Sequence, residues 1–253
     1  MGFTIEPADT QEIQPLREQY RREMDCQIIH DSLHARPGWT ASFLIKSASR
    51  AIGYGSVAKG GPWSEMPAVF EFFLRPDFRL EAFEIFRAFL DECRATRMEV
   101  QSNDQLITVM LHTFARDITS EKILFRDHQT TTLVRPGAAV RKTEPGDIGM
   151  FESLGFDARA DWVLDFDGRL AGAGGVLYHY NPPYGDVFMA IAESFRRRGL
   201  GSLLVQELKR VCREGGHVPA ARCRTDNIAS RRTLQRAGFV PCGHILTGRL
   251  CPA

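Results

Sequence analysis

DVFMAIAESFRRRGLGSLLVQELKRVCREGG, residues 186–216, is the stretch that decides the fold of this chain. Its apolar run at Val187–Ala192 predicts a strand. The apolar residues that follow recur at helical spacing and predict an amphipathic helix, with one side formed by Leu203, Leu204, Leu208 and Val211. A turn of sequence RRRGLG, Arg196–Gly201, joins the two. We therefore predict a strand, a glycine-bearing turn and a helix.

The two glycines give this turn a specific chemistry. Gly199 and Gly201 allow consecutive backbone N–H groups to point the same way, and the helix adds its first unpaired donors and the positive end of its dipole. Such a turn favours an anion, above all a pyrophosphate. The spacing matches neither GxxxxGK[ST] nor GxGxxG, which argues against a P-loop NTPase and against a Rossmann nucleotide site. What remains is R-x-x-G-x-G after a strand.

This pattern resembles the acyl-CoA loop of the GNAT superfamily of N-acetyltransferases. Three further features follow in the order that this family shows: a strand at Ala220–Thr225, then Asn227, and a short helix that closes with Ala237–Phe239. The resemblance implies an N-acetyltransferase that moves an acetyl group from acetyl-CoA to a primary amine by direct attack on the thioester. It implies acetyl-CoA as co-substrate and no metal.

The resemblance also implies which residues contact CoA. Backbone groups of Ile191 and Glu193 would pair with the pantetheine arm, while Asn227 and Ser230 would lie beside it. The pyrophosphate would be held by the loop residues Arg196, Arg197, Arg198, Gly199, Leu200, Gly201 and Ser202. Two alternatives stay open: an arginine triplet can be a solvated patch or a nucleic-acid contact, and an Asn or Ser before a helix can be only a cap.

The catalytic groups are less well defined, because Leu234 stands where many family members place a proton-donating Tyr. Asp186 lies within one residue of the usual carboxylate base, although it can equally be a turn residue. Glu193 is near the thioester end by position. Tyr178 and His179 can line the acceptor pocket, although a lone His on an apolar strand is more often packed and hydrogen-bonded.

Composition excludes several other classes. With 253 residues, of which 43% are hydrophobic and 25% charged, the chain is globular in type. No apolar run reaches the roughly 18 residues of a membrane helix, and the N-terminus lacks the order of a signal peptide, so we expect a cytoplasmic protein. The six cysteines show no zinc-ligand spacing and predict reduced thiols. A net charge of +1 gives no pull towards nucleic acid.

The N-terminal half repeats the strand and helix order of the C-terminal half at a spacing of roughly 115 to 120 residues. Leu74–Leu80 falls at the position of the RRRGLG loop but contains no glycine, and Asn103 falls at the position of Asn227. Because side chains would crowd a pyrophosphate there and Pro76 removes a donor, we predict that this half binds no CoA. A chance alignment of two α+β segments is the alternative.

The predicted fold class is therefore α+β, with two tandem GNAT-like acyl-CoA N-acyltransferase domains. Each has a mixed, mostly antiparallel sheet flanked by helices. Residues 1–135 form the degenerate domain without a CoA loop and residues 136–253 the CoA-binding domain. The linker region is at Val134–Gly149, where Pro and Gly are dense. The alternative is that Ala139–Arg141 already form the first strand of the second domain.

Two readings of function remain beside the enzyme. The missing Tyr allows a non-catalytic acyl-CoA-binding sensor or scaffold, and the arginines of the C-terminal half allow nucleic-acid binding, which the near-neutral charge disfavours. We expect the partner to be a small-molecule or peptide amine acceptor, with no nucleic acid and no membrane, and the chain to be a monomer or a homodimer.

Overall fold

The computed structural model describes residues 2–24 and 30–250. The chain forms two compact units. Unit 1 comprises the residues up to Lys122 together with those from Gly243 onward, and unit 2 comprises Ile123–Cys242. The sequence analysis placed the division at 135/136, whereas the structure changes unit at 122/123 and returns to unit 1 at 243.

Unit 1 contains a sheet with strand order β1-β2-β3-β4-β5-β12, followed by the first part of β6. Its described elements are β1 (Phe3–Ala8), α1 (Thr10–Met24), α2 (His30–His34), β2 (Thr40–Ser47), β3 (Arg50–Ala58), β4 (Ala68–Leu74), α3 (Ala82–Cys93), β5 (Arg97–Gln101), α4 (Gln105–Phe114), β6 (Ala115–Asp127) and the last part of β12 (Phe239–Leu250). The β4–β5 pair is parallel, and the pairs β1–β2, β2–β3, β3–β4 and β5–β12 are antiparallel.

Unit 2 contains a sheet with strand order β6-β11-β10-β9-β8-β7. Its further elements are β7 (Ala138–Lys142), α5 (Pro145–Leu154), β8 (Trp162–Phe166), β9 (Arg169–Leu177), β10 (Tyr184–Ile191), α6 (Leu200–Glu214), β11 (Val218–Arg224) and α7 (Ile228–Arg236). The β10–β11 pair is parallel, while β7–β8, β8–β9 and β9–β10 are antiparallel. The predicted strand, turn and helix are β10, the loop after it and α6.

The predicted internal repeat is confirmed by the element order, because β1 to β6 and β7 to β12 each alternate strands and helices in the same sequence, apart from the short α2. One detail of the alignment differs. The residue that caps α4 is Asp104, whose side chain accepts from the amide of Ile107, just as Asn227 caps α7. The position that matches Asn227 is therefore Asp104, one residue beyond the predicted Asn103.

The region predicted as a linker contains two elements. Residues 138–142 form β7, in line with the alternative of a strand at Ala139–Arg141, and α5 begins at Pro145. Glu144 and Asp147 form a reciprocal capping box around the start of this helix. The proline occupies the first helical position, where its missing N–H costs nothing, so the Pro and Gly density marks a helix start.

A buried lysine anchors α6 in unit 2. Lys209 is 1% exposed, and its Nζ lies 2.8 Å from Oδ1 of Asp127. It also donates to the carbonyl oxygens of Gln129 at 2.8 Å and Ala237 at 2.6 Å. Burial lowers the pKa of this amine, and hydrogen bonding to Asp127 opposes that shift. One cation thus joins α6 to the end of β6 and to the end of α7.

Four cysteines fall within the described residues, and all four are free thiols: Cys93, Cys212, Cys223 and Cys242. Burial raises the pKa of Cys93, Cys212 and Cys242 to about 11. Cys26 and Cys251 lie outside the described residues. Over 2–24 and 30–250, none of the helices is long and apolar enough to cross a membrane.

Replacing Lys209 by Met should destabilise the protein by about 3 kcal/mol, because the change breaks a buried ion pair and leaves two carbonyl groups without a donor. Asp127 keeps its bond to Arg213, which limits the loss. Urea unfolding followed by circular dichroism measures the effect. The control is Arg210→Ala, which removes an exposed arginine of the same helix that pairs with Glu207 and Glu214, and should change stability by less than about 1 kcal/mol. Equal effects of the two substitutions would contradict the anchoring role.

Candidate functional site

The central feature of unit 2 is the separation of β10 from β11. The two strands pair in parallel register from Tyr184–Val218 to Asp186–Ala220, and no pairing is recorded beyond that point. β10 nevertheless continues to Ile191, where it still pairs with β9. Because β10 has lost its neighbour on one side over residues 187–191, backbone groups on that side are available to a ligand.

A cleft of about 260 Å³ lies where the strands part. It is lined by residues of β9, β10, α6, β11 and α7, together with two residues of the segment before β8. Those that matter below are Asp186, Phe188, Met189, Arg222, Ser230 and Leu234. The cleft therefore combines an apolar part with five polar side chains, which include Asp157 and Arg159, as small-molecule sites commonly combine the two.

The loop that follows β10 has the geometry of an anion site. Arg197 and Gly199 both have left-handed backbone conformations, with φ of 61° and 78°. No side chain caps the start of α6. The amides of the first helical turn therefore have no intrahelical acceptor and no capping oxygen. Together with the positive end of the helix dipole, they fit a phosphate group.

Gly201 keeps the first turn of α6 close to its neighbours. A Cβ at this position would lie 3.2 Å from Cγ2 of Thr233 and 3.3 Å from Cε of Met189. A larger side chain would have to project towards the loop or displace α7. The glycine thus keeps open the space in which the sequence analysis placed the pyrophosphate.

The three loop arginines are exposed and are not held by carboxylates. Arg196 donates from Nε to the carbonyl of Ile191 at 3.2 Å, and Arg198 lies over the ring of Phe195 at 5.7 Å. Within the described parts of the chain, no ion pair is recorded for Arg196, Arg197 or Arg198. Their charge is therefore available to an anionic ligand.

A fourth arginine, which sequence reasoning missed, lies against the loop. A Cβ built on Gly199 would be 2.7 Å from Nη2 of Arg135 and 2.9 Å from its Nε. Arg135 is half-buried and forms no ion pair with the described residues. It precedes β7, far from the loop in sequence, and no motif spacing connects the two. Only the fold brings this guanidinium to the loop.

The two residues assigned to the CoA arm lie at the start of α7. Asn227 caps the helix, since its Oδ1 accepts from the amide of Ser230 at 2.9 Å. Ser230 also lines the cleft. The capping role is therefore observed, and contact of either residue with CoA stays a prediction.

Leu234 lines the cleft and is 6% exposed. The side chain at this position is therefore aliphatic, whereas the resemblance described above implies a Tyr here. Glu193 begins the short 3-10 turn Glu193–Phe195, is exposed, and is not among the residues that line this cleft. A catalytic or cofactor role for Glu193 stays a prediction.

Asp186 is the centre of a polar cluster and occupies the last position at which β10 pairs with β11. It is 4% exposed, and its Oδ2 lies 2.9 Å from Nε2 of His179 and 3.2 Å from Nη2 of Arg222. Sequence analysis named Asp186 and His179 separately, and the structure brings them together. In the sequence analysis, Arg222 was only one of the arginines of the C-terminal half that allow nucleic-acid binding. Its place beside Asp186 follows from the parallel register of β11, which the sequence does not give.

Two more groups surround this cluster. Tyr180 is buried, its ring packs against the His179 ring at 5.3 Å, and Arg222 lies 5.7 Å from its centroid. Burial raises the pKa of Tyr180 well above its ordinary value, and the charge of Asp186 raises it further. The phenol therefore stays protonated at neutral pH. Tyr178, by contrast, is exposed and packs on the His217 ring at 4.4 Å.

No group of three or more His, Cys, Asp or Glu side chains in the described residues could hold a metal ion. The polar groups around this site are amides, guanidinium groups, an imidazole, a carboxylate and hydroxyl groups.

Comparison with proteins of known structure shows the same architecture over the whole chain. An acetyltransferase of the GNAT family from Colwellia psychrerythraea is 15% identical with a TM-score of 0.74, and the alignment covers 98% of this chain and 100% of that one. A tandem GNAT protein from the clavulanic acid biosynthesis pathway, also 15% identical, has a TM-score of 0.62 with full coverage of both chains. A GCN5-related N-acetyltransferase from Sphaerobacter thermophilus has a TM-score of 0.61 at 14% identity, over 99% of this chain and 96% of that one.

These likenesses confirm the predicted fold class of two tandem GNAT-like domains. Comparison with the sequences of curated proteins gives no match. The family described as "Acetyltransferase (GNAT) family" matches residues 125–239, which cover the loop, the strand separation and the Asp186 cluster. Residues 125–239 of this chain form a domain of the GNAT acetyltransferase family.

Proposed function

We propose that the protein is an N-acetyltransferase that moves the acetyl group of acetyl-CoA to a primary amine of a small molecule or peptide. The observation that carries this proposal is the juxtaposition of the phosphate-binding loop with the gap between β10 and β11. The loop suits the pyrophosphate, and the unpaired edge of β10 suits the amide groups of the pantetheine arm. The proposal includes a cytoplasmic location and no nucleic-acid or membrane partner.

The described residues fit such a ligand. Backbone amides of the loop, three unpaired arginines and Arg135 offer donors and positive charge to the phosphates. The cleft between the strands is polar at Asp186 and Arg222 and apolar at Met189 and Leu234. A thioester placed there lies beside polar groups at one end and hydrocarbon at the other.

Acetyl-CoA supplies an activated acyl group, and the protein's own task is to position the amine and to handle protons. Free amide groups of β10 beyond Asp186 can donate to the thioester carbonyl oxygen and stabilise the charge that develops there. Holding both reactants at one edge turns a bimolecular encounter into a local one. Because Leu234 offers no proton, the departing thiolate takes its proton from water.

Unit 1 is proposed to bind no CoA. In the equivalent segment, residues 76–81 form a 3-10 turn that begins with Pro76 and lacks glycine. Arg79 donates from Nε to the carbonyl of Leu74 at 3.0 Å, and so occupies the end of β4 with a side chain of the protein itself. The expected stoichiometry is one CoA per chain, and the chain is proposed to act as a monomer or a homodimer.

The alternative is a non-catalytic acyl-CoA-binding sensor or scaffold, which Leu234 favours. Incubation with acetyl-CoA and a broad panel of primary amines, with free thiol as the readout, separates the two functions. Thiol release that depends on one class of amine supports the enzyme. Tight acetyl-CoA binding without release on any amine supports the sensor.

Gly201→Glu should weaken acetyl-CoA binding by at least tenfold, because it places a carboxylate beside the position proposed for the pyrophosphate. Isothermal titration calorimetry measures the dissociation constant. Gly201→Ala is the steric control. Its methyl group meets Thr233 and Met189 at 3.2 and 3.3 Å, so a small displacement suffices, and affinity should fall far less. Unchanged affinity in the Glu variant would refute the loop as the phosphate site.

Arg135→Ala should raise the dissociation constant for acetyl-CoA by roughly tenfold, the size of one charge-assisted hydrogen bond of about 1.5 kcal/mol. The effect should shrink at high salt. S-acetylpantetheine, which has no phosphate, should bind the variant and the unchanged protein equally.

Arg210→Ala serves as the control for Arg135, since Arg210 is another arginine of unit 2, lies on α6, and pairs with Glu207 and Glu214. This variant should keep its acetyl-CoA affinity. If Arg135→Ala lowered the affinity for S-acetylpantetheine as much as that for acetyl-CoA, the phosphate role of Arg135 would be wrong.

A further inference from the structure

We infer that His179 is the group that removes the proton from the acceptor amine and that Asp186 positions it, with Arg222 holding the carboxylate in place. This inference rests on the proposed function and assigns a catalytic residue to it. It replaces direct proton removal by Asp186 with removal by an imidazole that Asp186 orients.

The hydrogen bonds select one tautomer of His179. Oδ2 of Asp186 lies 2.9 Å from Nε2 of His179 and 3.2 Å from Nη2 of Arg222. Nε2 also lies 3.3 Å from Nη2 of Arg222. A guanidinium can only donate, so the arrangement in which both nitrogens donate to Oδ2 satisfies every group. Nε2 then carries the hydrogen.

The other ring nitrogen is left as a proton acceptor. Among the described residues, none is recorded as bonding to Nδ1 of His179. The side chain is 27% exposed, whereas that of Asp186 is 6% exposed. The imidazole therefore has both a lone pair and access to solvent, and its two partners, Asp186 and Arg222, line the cleft.

Asp186 is poorly suited to act as the base itself. Its Oδ2 already accepts from an imidazole and a guanidinium. Taking a proton on this oxygen would disrupt two bonds in a buried place. A carboxylate that orients an imidazole avoids this cost, as in the general logic of histidine–carboxylate pairs.

The charged and titratable neighbours of His179 come from three strands or their ends. Asp186 lies on β10 and Arg222 on β11, and both contact Nε2. Tyr180, next in the chain, packs on the ring and stays neutral. A carboxylate and a guanidinium thus flank the Nε2 side of the ring.

The proton balance is simple. One proton of the acceptor ammonium passes to Nδ1 of His179 and from there to water. The neutral nitrogen then forms a bond to the thioester carbonyl carbon, and the carbon–sulfur bond breaks with its electron pair on sulfur. The second proton of the attacking nitrogen leaves through water, and the thiolate gains one proton from water. The products are an amide, free CoA thiol and one released proton.

Kinetics with the best amine of the panel test the catalytic part. His179→Gln should lower kcat by about a hundredfold or more, the usual contribution of a general base, with little change in the KM for acetyl-CoA. It should also remove the dependence of kcat on pH that a proton-accepting side chain produces. The control His217→Gln, a second histidine of unit 2, should keep the rate and the pH profile. A His179→Gln variant with unchanged kcat would overturn the inference.

Nitrogen-15 NMR of the histidine rings tests the positioning part without any acceptor. At neutral pH His179 should show the tautomer with hydrogen on Nε2, and Asp186→Asn should shift that population while folding, checked by circular dichroism, is retained. A dominant Nδ1–H tautomer in the unchanged protein would overturn the inference. Calorimetry with acetyl-CoA separates failure of the proposed function from failure of this inference. If acetyl-CoA does not bind, the proposed function is refuted. If acetyl-CoA binds but His179 carries its hydrogen on Nδ1, only the role of His179 is refuted.

Discussion

The divergence of β10 from β11 is the constraint on which the rest of unit 2 depends. Up to Asp186 and Ala220 the two strands share backbone hydrogen bonds, and beyond that point β10 keeps a partner only on the β9 side. A backbone edge without a partner inside a fold is costly unless something else satisfies it. In this unit the same edge lines a cleft together with residues of α6 and α7. The loop that follows β10 leads into a helix N-terminus without a side-chain cap. A single break in pairing thus creates both the room for an extended acyl carrier and the donors that can hold it.

Asp186 lies at the last shared position, and this placement explains its contacts. A carboxylate there can receive Arg222 from β11 and His179 from the segment that follows β9. It thereby links three neighbouring segments at the point where the sheet stops being continuous. In the proposed mechanism, the bonds that link these segments are also the ones that orient His179. The buried Lys209 has a comparable role on the other side of the loop, because it fixes α6 to the ends of β6 and α7.

Much of the fold could be read from local patterns. The β10–loop–α6 segment was predicted because apolar spacing and glycine placement are local, and the resemblance of that segment to a known loop supplied the expected cofactor. β12 was not predicted, and helix α5 was missed because Pro145 at a helix start resembles the punctuation of a linker. The approach of Arg135 to Gly199 and of Arg222 to Asp186 could not be predicted, since both follow from strand register and packing between segments that are distant in sequence. The identity of the acceptor amine is likewise not encoded in any spacing.

The last strand has a consequence for how the chain reaches its native state. β12 begins in unit 2, but from Gly243 onward it belongs to unit 1, where Ile245–Arg249 pair with β5. During synthesis, β5 must wait with an open edge until the whole of unit 2 has been made. An open edge is a site for unwanted pairing between chains. The sheet of unit 1 is therefore complete only after residues 243–250, which follow the whole of unit 2 in sequence, have been made.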